Sequence, residues 1–191
     1  MLTDNSVLDA AFSAVDRTQF VPLALRPRAH DDQPLPIGHG QTISQPTTVR
    51  RMLSWLDIQK GQTILDVGSG SGWTTALLAS IVGPTGHVYA IDIIDAMVRM
   101  GRGNCQKIGI TNATFALADK SGGLVEHAPY DRIIVSASAN EIPASLRDQL
   151  APDGKIVIPV GEAIIEATKT AAGWNEQRHP GYIFVPYISQ K

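Results

Sequence analysis

A chain of 191 residues is long enough for one ordinary domain and too short for several. With 43% hydrophobic and 18% charged residues it can bury a core, which excludes a wholly disordered chain. Sixteen Lys and Arg against eighteen Asp and Glu leave a net charge of −2, so the chain as a whole carries no basic footprint for nucleic acid.

Val7, Leu8, Ala11, Phe12 and Val15 recur at helical spacing after a turn signal at Asn5-Ser6. Residues 21–46 hold Pro22, Pro27, Pro34, Pro36 and Pro46 and read as irregular. Beyond Pro46, Thr47 is expected to cap a helix with the stripe Val49, Met52, Leu53 and Leu56. From Gly61 the pattern changes to alternation of short apolar runs and helices. Strands are expected at 63–67, 87–91, 113–117, 131–136 and 155–160. Helices are expected at 74–82, 94–108 (weakened by Gly101 and Gly103) and 143–150, the last opened by Pro143. Two further strand-like runs, 164–170 and 182–188, are joined by a polar stretch without helical pattern, so a hairpin is expected between them. The reading is an α/β fold: a mostly parallel sheet with an antiparallel C-terminal strand, preceded by a helical and irregular segment. We divide it into residues 1–60 and 61–191, packed as one compact unit.

Cys105 is the only cysteine, so no intrachain disulfide or cysteine-based metal site is expected, and no metal is assigned. The start, Met1-Leu-Thr-Asp-Asn-Ser6, lacks a basic run followed by an apolar one, so no secretory signal is expected. No run approaches the ~20 apolar residues that cross a bilayer. A cytoplasmic location without membrane attachment is the expectation.

The sharpest local signal is Asp66-Val-Gly68-Ser69-Gly70-Ser-Gly72, between a strand and a helix. A dinucleotide fingerprint would need a third glycine at 73 or 75, where Trp73 and Thr75 stand. The pattern acidic-x-Gly-x-Gly-x-Gly instead resembles the first motif of S-adenosylmethionine-dependent methyltransferases. That cofactor has no phosphate but carries a sulfonium and an amino group. Asp66 can hold positive charge nearby. Asp92 ends the next strand, 20 residues after Gly72, the offset of a ribose-binding acid. Asp119 ends the third strand. Each has a plainer reading: the glycines as a tight connection, Asp92 as a helix cap, Asp119 as a turn residue. All three acids fall at successive strand ends, the edge where a ligand should lie.

A second segment carries more specific information. Pro34-Leu-Pro-Ile-Gly-His-Gly-Gln-Thr-Ile-Ser-Gln-Pro46, with Phe20-Val-Pro22, closely resembles the protein-L-isoaspartate (D-aspartate) O-methyltransferases. The resemblance continues through Ala128-Pro-Tyr-Asp-Arg-Ile-Ile-Val135, Glu141-Ile-Pro143, Ile158-Pro-Val-Gly161 and Phe184-Val-Pro186. It implies a Rossmann-like fold, S-adenosyl-L-methionine as cofactor, and methylation of isoaspartyl carboxylates in damaged proteins or peptides. The ester then favours closure to a succinimide, which can reopen to aspartate. It implies Ser44 as the active-site serine, and Gln41, Thr42 and Ile43 as the stretch over cofactor and acceptor. Gly68, Ser69, Gly70, Gly72, Asp92 with Ile93, and Asp119 with Lys120 then line the cofactor. Ser136 or Ser138 can bind the substrate, or simply form a polar strand exit. No general base is expected, because a carboxylate with a pKa near ~4 is already a nucleophile at pH 7. His39 reads as a surface or lid residue, and Trp73 as core or as a wall of the cofactor site.

Three departures bear on the acceptor. The third strand ends Ala118-Asp119-Lys120 where the family usually has Gly-Asp-Gly. The second ends in Asp92 where Glu is common. His30 follows Ala29 where an aromatic residue such as Tyr is common. They leave room for a paralogue acting on another carboxylate; a non-catalytic cofactor-binding partner subunit is a separate alternative, against which the intact Ser44 and glycines argue. A base methyltransferase is disfavoured, because no Asn-Pro-Pro-Tyr-like stacking run follows the fourth strand. Arg26, Arg28, Arg50 and Arg51 are expected to flank the mouth. A protein or peptide partner, no nucleic acid, and a monomer or weak homodimer are expected.

Overall fold

A computed structural model describes residues 2–118 and 122–187. Asp119 and Lys120 therefore lie outside the described residues.

Helix α1 (Asn5–Ala14) is capped by Asp4, whose carboxylate accepts from the Ser6 backbone N–H at 2.7 Å. Two 3-10 turns follow, Arg17–Phe20 and Leu23–Arg28. The proline-rich stretch then forms a small antiparallel hairpin of β1 (Leu35–Gly38) and β2 (Gln41–Ile43). Three residues of positive φ, Gly38, His39 and Gly40, turn its tip. Helix α2 (Pro46–Trp55) begins with its proline at the first turn, where no N–H is required. Its cap is not Thr47. Asp32 reaches over from the preceding loop and accepts from Thr47 N at 2.9 Å and Thr47 Oγ1 at 2.8 Å.

The main sheet has seven strands: β3 (Thr63–Val67), β4 (His87–Asp92), β5 (Ala113–Leu117), β6 (Tyr130–Val135), β7 (Leu150–Val160), β8 (Ala163–Thr170) and β9 (Gly173–Pro180). Their order is β5-β4-β3-β6-β7-β8-β9. The strands from β5 to β7 run parallel, and β8 and β9 pair antiparallel. Helices α3 (Trp73–Val82), α4 (Asp95–Lys107) and α5 (Ala144–Asp148) complete the fold. Strand alternation divides the core between the two faces. Ile64, Ala90, Ile134 and Val157 pack on the face that also holds Leu8, Leu53 and Leu77. Leu65, Ile91, Ile133 and Ile156 pack on the other, with Leu146 of α5. Helix α3 is apolar almost all round because it is buried on most of its surface.

Two expectations are corrected. The polar stretch 173–180, read as a connection, is itself the edge strand β9, paired with β8 from Thr170↔Gly173 to Ala163↔Pro180. Edge strands are commonly charged, which removes the alternating signal. The apolar run read as the last strand is instead, over residues 182–187, an extended strap. It is tied to the loop after β6 by Ser138 N donating to Val185 O (2.7 Å) and Tyr187 N donating to Ser138 O (2.8 Å). Strand β7 starts at Leu150, before Pro152-Asp153-Gly154, and absorbs that turn as an irregularity in its pairing with β6.

Candidate active site

The carboxyl ends of β3, β4 and β6 lie side by side, the edge where an open parallel sheet binds ligands. After β3 the chain makes its glycine turn. Gly68 N and Ser69 N both donate to Ile91 O, at 2.8 and 3.0 Å, which pins the turn to β4. Gly68 and Gly70 take φ of 78° and 51°, a region that favours glycine. Gly70 N donates to Asp92 Oδ2 at 3.0 Å, while Asp92 Oδ1 accepts from Ile94 N at 2.9 Å. Asp92 thus acts in part as the cap its sequence position allowed. With Ile93 N–H as a third backbone donor, the carboxylate still keeps room for a further donor. It is 8% exposed, and burial raises its pKa against the pull of these backbone bonds.

A cavity of about 360 Å³ opens over this turn. Val67, Gly68, Ser69, Gly70, Ser71 and Trp73 form one side, Ile91 to Ile94 another, and Ser136 with Ala137 a third. The β1–β2 hairpin covers it with His39, Gln41, Thr42, Ile43 and Ser44. Val185, Pro186 and Tyr187 of the strap close it. Ser69 and Trp73 line the cavity, and the buried Ser69 hydroxyl and Trp73 indole N–H have no hydrogen-bond partner among the described residues. Orphaned buried groups beside a cavity call for a polar partner, a ligand or a water. With the acidic Asp92 they suit a hydroxylated, cationic cofactor. Trp73 is therefore both core and wall: its ring also meets Phe12 edge to face at 5.6 Å.

A second cavity of similar size adjoins the first. Pro34, Gln45, Thr48, Gly181 and the strap residues Tyr182 to Val185 line it, and Thr42, Ser44, Ser136 and Val185 belong to both cavities. Ser44 therefore stands at the junction. Its hydroxyl makes no hydrogen bond among the described residues.

Three expected site residues sit elsewhere. Asp66 does not line the cavity. It shares the face of β3 that carries Ile64, so it points under α3, fully buried, where Thr75 Oγ1 donates to its Oδ2 at 2.6 Å. Burial first, and the nearby Asp92 second, push its pKa up to about 7 despite that bond. Gly72 also faces away: a Cβ there would come within 2.9 Å of the Gly101 backbone. Its partner Gly101, which reads as a weak point of α4, lets that helix press against the turn. Ser138 lies outside both cavities, its hydroxyl donating to Gly161 O at 2.9 Å to fix the strap.

Of the four arginines, Arg28 pairs with Asp31 and Arg50 with Asp9, while Arg51 donates to the Tyr182 hydroxyl at the rim of the second cavity. Sequence reasoning missed the strap residues, whose apolar alternation mimics a strand. It also missed Arg17, which sits among the polar residues Asp16, Thr18 and Gln19 and looks like an ordinary surface charge. Arg17 is buried and donates to five carbonyls, among them Ser44 O at 2.9 Å.

Comparison with known proteins agrees with this geometry. The sequence model of the family described as "Protein-L-isoaspartate(D-aspartate) O-methyltransferase" matches residues 1–191. A protein-L-isoaspartate O-methyltransferase of Methanothrix thermoacetophila is 46% identical over 183 residues, which cover 94% of this chain and 87% of the relative. A Plasmodium falciparum chain described as a protein-L-isoaspartate O-methyltransferase, solved in complex with S-adenosyl-L-homocysteine, is 26% identical. Its TM-score is 0.82, with 97% of this chain and 92% of that one covered. A further protein-L-isoaspartate O-methyltransferase structure, 23% identical, shares the fold with a TM-score of 0.86; 95% of this chain spans 61% of that one. With its whole length matched, the chain belongs to the protein-L-isoaspartate (D-aspartate) O-methyltransferase family.

Proposed function

We propose that the two adjoining cavities divide one reaction: the first takes S-adenosyl-L-methionine, the second the isoaspartyl carboxylate of a damaged protein or peptide. The observation that carries this reading is Ser44, a hydroxyl without a partner among the described residues where the two cavities meet. Bound in the first cavity, the cofactor supplies a methyl group on a sulfonium. Asp92 accepts ribose hydroxyls, and the Ser69 hydroxyl and Trp73 N–H bond the remainder. Residues 1–60 act as the covering segment, and 61–191 as the methyltransferase unit.

The acceptor carboxylate has a pKa near ~4 and enters as the anion, so no residue needs to take a proton. Ser44 Oγ donates to one carboxylate oxygen and leaves the other aimed across the junction. Ser136 stands on the same boundary. The free oxygen bonds to the methyl carbon, and the sulfur–methyl bond breaks with its electron pair going to sulfur. Alignment supplies the largest share of catalysis, roughly 7–11 kcal/mol for well-oriented groups. The hairpin and the strap keep water out of the junction, which strengthens the Ser44 bond. The methyl ester then favours closure to a succinimide, the step that makes the reaction a repair. Net charge −2 fits an enzyme that does not bind nucleic acid, and the single cysteine, buried Cys105, fits a cytoplasmic location; we take it to act as a monomer or weak homodimer.

The test is methyl transfer to paired peptides that differ only in aspartyl or isoaspartyl linkage. Label on the isoaspartyl member alone is expected. Equal labelling points to another carboxylate as the natural acceptor, and no labelling with intact cofactor binding removes the reading.

A further inference from the structure

Arg17 lies on the 3-10 turn Arg17–Phe20 and is only 3% exposed. Its Nη1 donates to Ala29 O at 2.6 Å and Asp31 O at 3.5 Å. Its Nη2 donates to Gln33 O at 3.1 Å, Ile43 O at 3.4 Å and Ser44 O at 2.9 Å. One face of the guanidinium lies 5.1 Å from the Trp73 ring. The carboxylates of Asp31 and Asp32 are nearby but engaged with Arg28 and Gln33, and with Thr47 and Gln45. Arg17 makes no ion pair among the described residues, and its Nε has no partner. Burial lowers its pKa to about 10, so it remains a cation at neutral pH.

A buried cation held mainly by carbonyl dipoles, with no ion pair, is a poor way to stabilise a core. An apolar side chain of similar volume commonly serves as well or better. The arrangement has a different consequence. Two of the five carbonyls belong to Ile43 and Ser44, so the peptide groups on both sides of the Ser44 Cα are clamped. The direction of the Ser44 side chain is thereby set. Trp73, under the same guanidinium, is a wall of the first cavity, so one group is in contact with both sides of the junction. A planar fork spreads its donors over separate nitrogens and so reaches five carbonyls of two chain segments at once, whereas an ammonium offers three donors from a single point.

We propose that Arg17 is the positioning residue for Ser44, holding its hydroxyl toward the acceptor carboxylate and against the donor cavity. This rests on the function proposed above. It predicts a coupling that a general structural role would not produce.

The experiment is a double-mutant cycle in the full chain: wild type, Arg17→Lys, Ser44→Ala and the pair. It reads kcat and KM for an isoaspartyl peptide and calorimetric affinity for S-adenosyl-L-homocysteine. Calorimetric stoichiometry counts folded sites, so kcat per site stays defined where Arg17→Lys lowers the folded fraction. Arg17→Gln, with a neutral head that keeps two amide hydrogens, runs through the same cycle should the lysine variant not fold. Expected is a loss of about tenfold or more in kcat, a change under about twofold in product affinity, and less than about twofold further loss once Ser44 is alanine. The same fold loss in both backgrounds, or an equal loss of product affinity, overturns the positioning role. A wild-type chain that labels no isoaspartyl peptide refutes the parent reading and the Arg17 role with it; labelling with a multiplicative cycle refutes Arg17 alone.

Discussion

The two cavities meet at Ser44 but are built differently. The floor of the first comes from the ends of adjacent parallel strands and the turns that follow them. Backbone N–H groups of Gly68, Ser69 and Gly70 fasten it to β4 and Asp92. The second is assembled from pieces far apart in sequence: the segment 34–48, Ser136 after β6, and the strap. Its walls are pinned across long separations, by Arg17 to Ser44 and by Ser138 to Val185 and Gly161. A site made of strand ends inherits its rigidity from the sheet, so damage to it registers as lost stability. A site made of pinned segments can loosen while the core stays folded. Damage there registers in how the acceptor is bound and aligned, that is, in KM or kcat.

Gly72→Ala attacks the first region where it is tightest. Gly72 has φ of 86°, and an added Cβ would press on the Cα and carbonyl oxygen of Gly101 at 2.9 Å. The left-handed strain costs about 1–2 kcal/mol. Overpacking against a backbone that cannot rotate away adds about 1–3 kcal/mol. Urea unfolding should therefore show a loss of about 2–5 kcal/mol. Gly109→Ala is the control: its φ of 79° is similar, but nothing lies within 4 Å of its added Cβ. Equal losses at the two positions would mean that the contact with α4 does not shape the turn.

Asp66 sharpens the same point through pH. Its pKa is about 7 in the folded chain against 3.8 for a free carboxyl, with burial as the main cause. Between those values the folded state holds a proton that the unfolded state has lost. Stability contributed by Asp66 is thus full below about pH 4, falls as pH rises, and levels off above about pH 7. At its steepest the fall is about 1.4 kcal/mol per pH unit. Asp66→Asn should flatten that part of the curve in unfolding measured across pH 4–8. Identical slopes in variant and wild type would show that another group carries the dependence.

What the sequence discloses follows the same division. Strands β3, β4 and β6 and the glycine turn were legible because their pattern is local: buried parallel strands read as apolar runs, and glycine marks a tight turn. The direction of Asp66 was not legible from the motif, although strand alternation from Ile64 assigns it to the α3 face. Gly101 read as a flaw in a helix because its reason lies in the turn some 30 residues earlier. Strand β9 looked like a loop because an edge strand exposed on most of its residues has no reason to alternate. Ser44 stood out through its family segment, yet nothing near Arg17 announces that five carbonyls converge on it. Contacts between distant segments leave no periodicity to read.

Ser138→Ala tests the second region where the effect should be smallest. The hydroxyl donates to Gly161 O at the surface, and one such bond contributes about 0.5–1 kcal/mol. The backbone bonds from Ser138 to Val185 and Tyr187 survive the change, so the strap loosens without detaching. Because strap residues Tyr182 to Val185 line the cavity proposed for the acceptor, KM for an isoaspartyl peptide should rise roughly two- to fivefold, with kcat unchanged. The strap also closes the first cavity, but the floor there rests on β3 and β4 and does not depend on it. Cofactor affinity by calorimetry should therefore move less than KM does. A larger change in cofactor affinity than in KM would erase the distinction, since it would make the strap a wall of the donor site first.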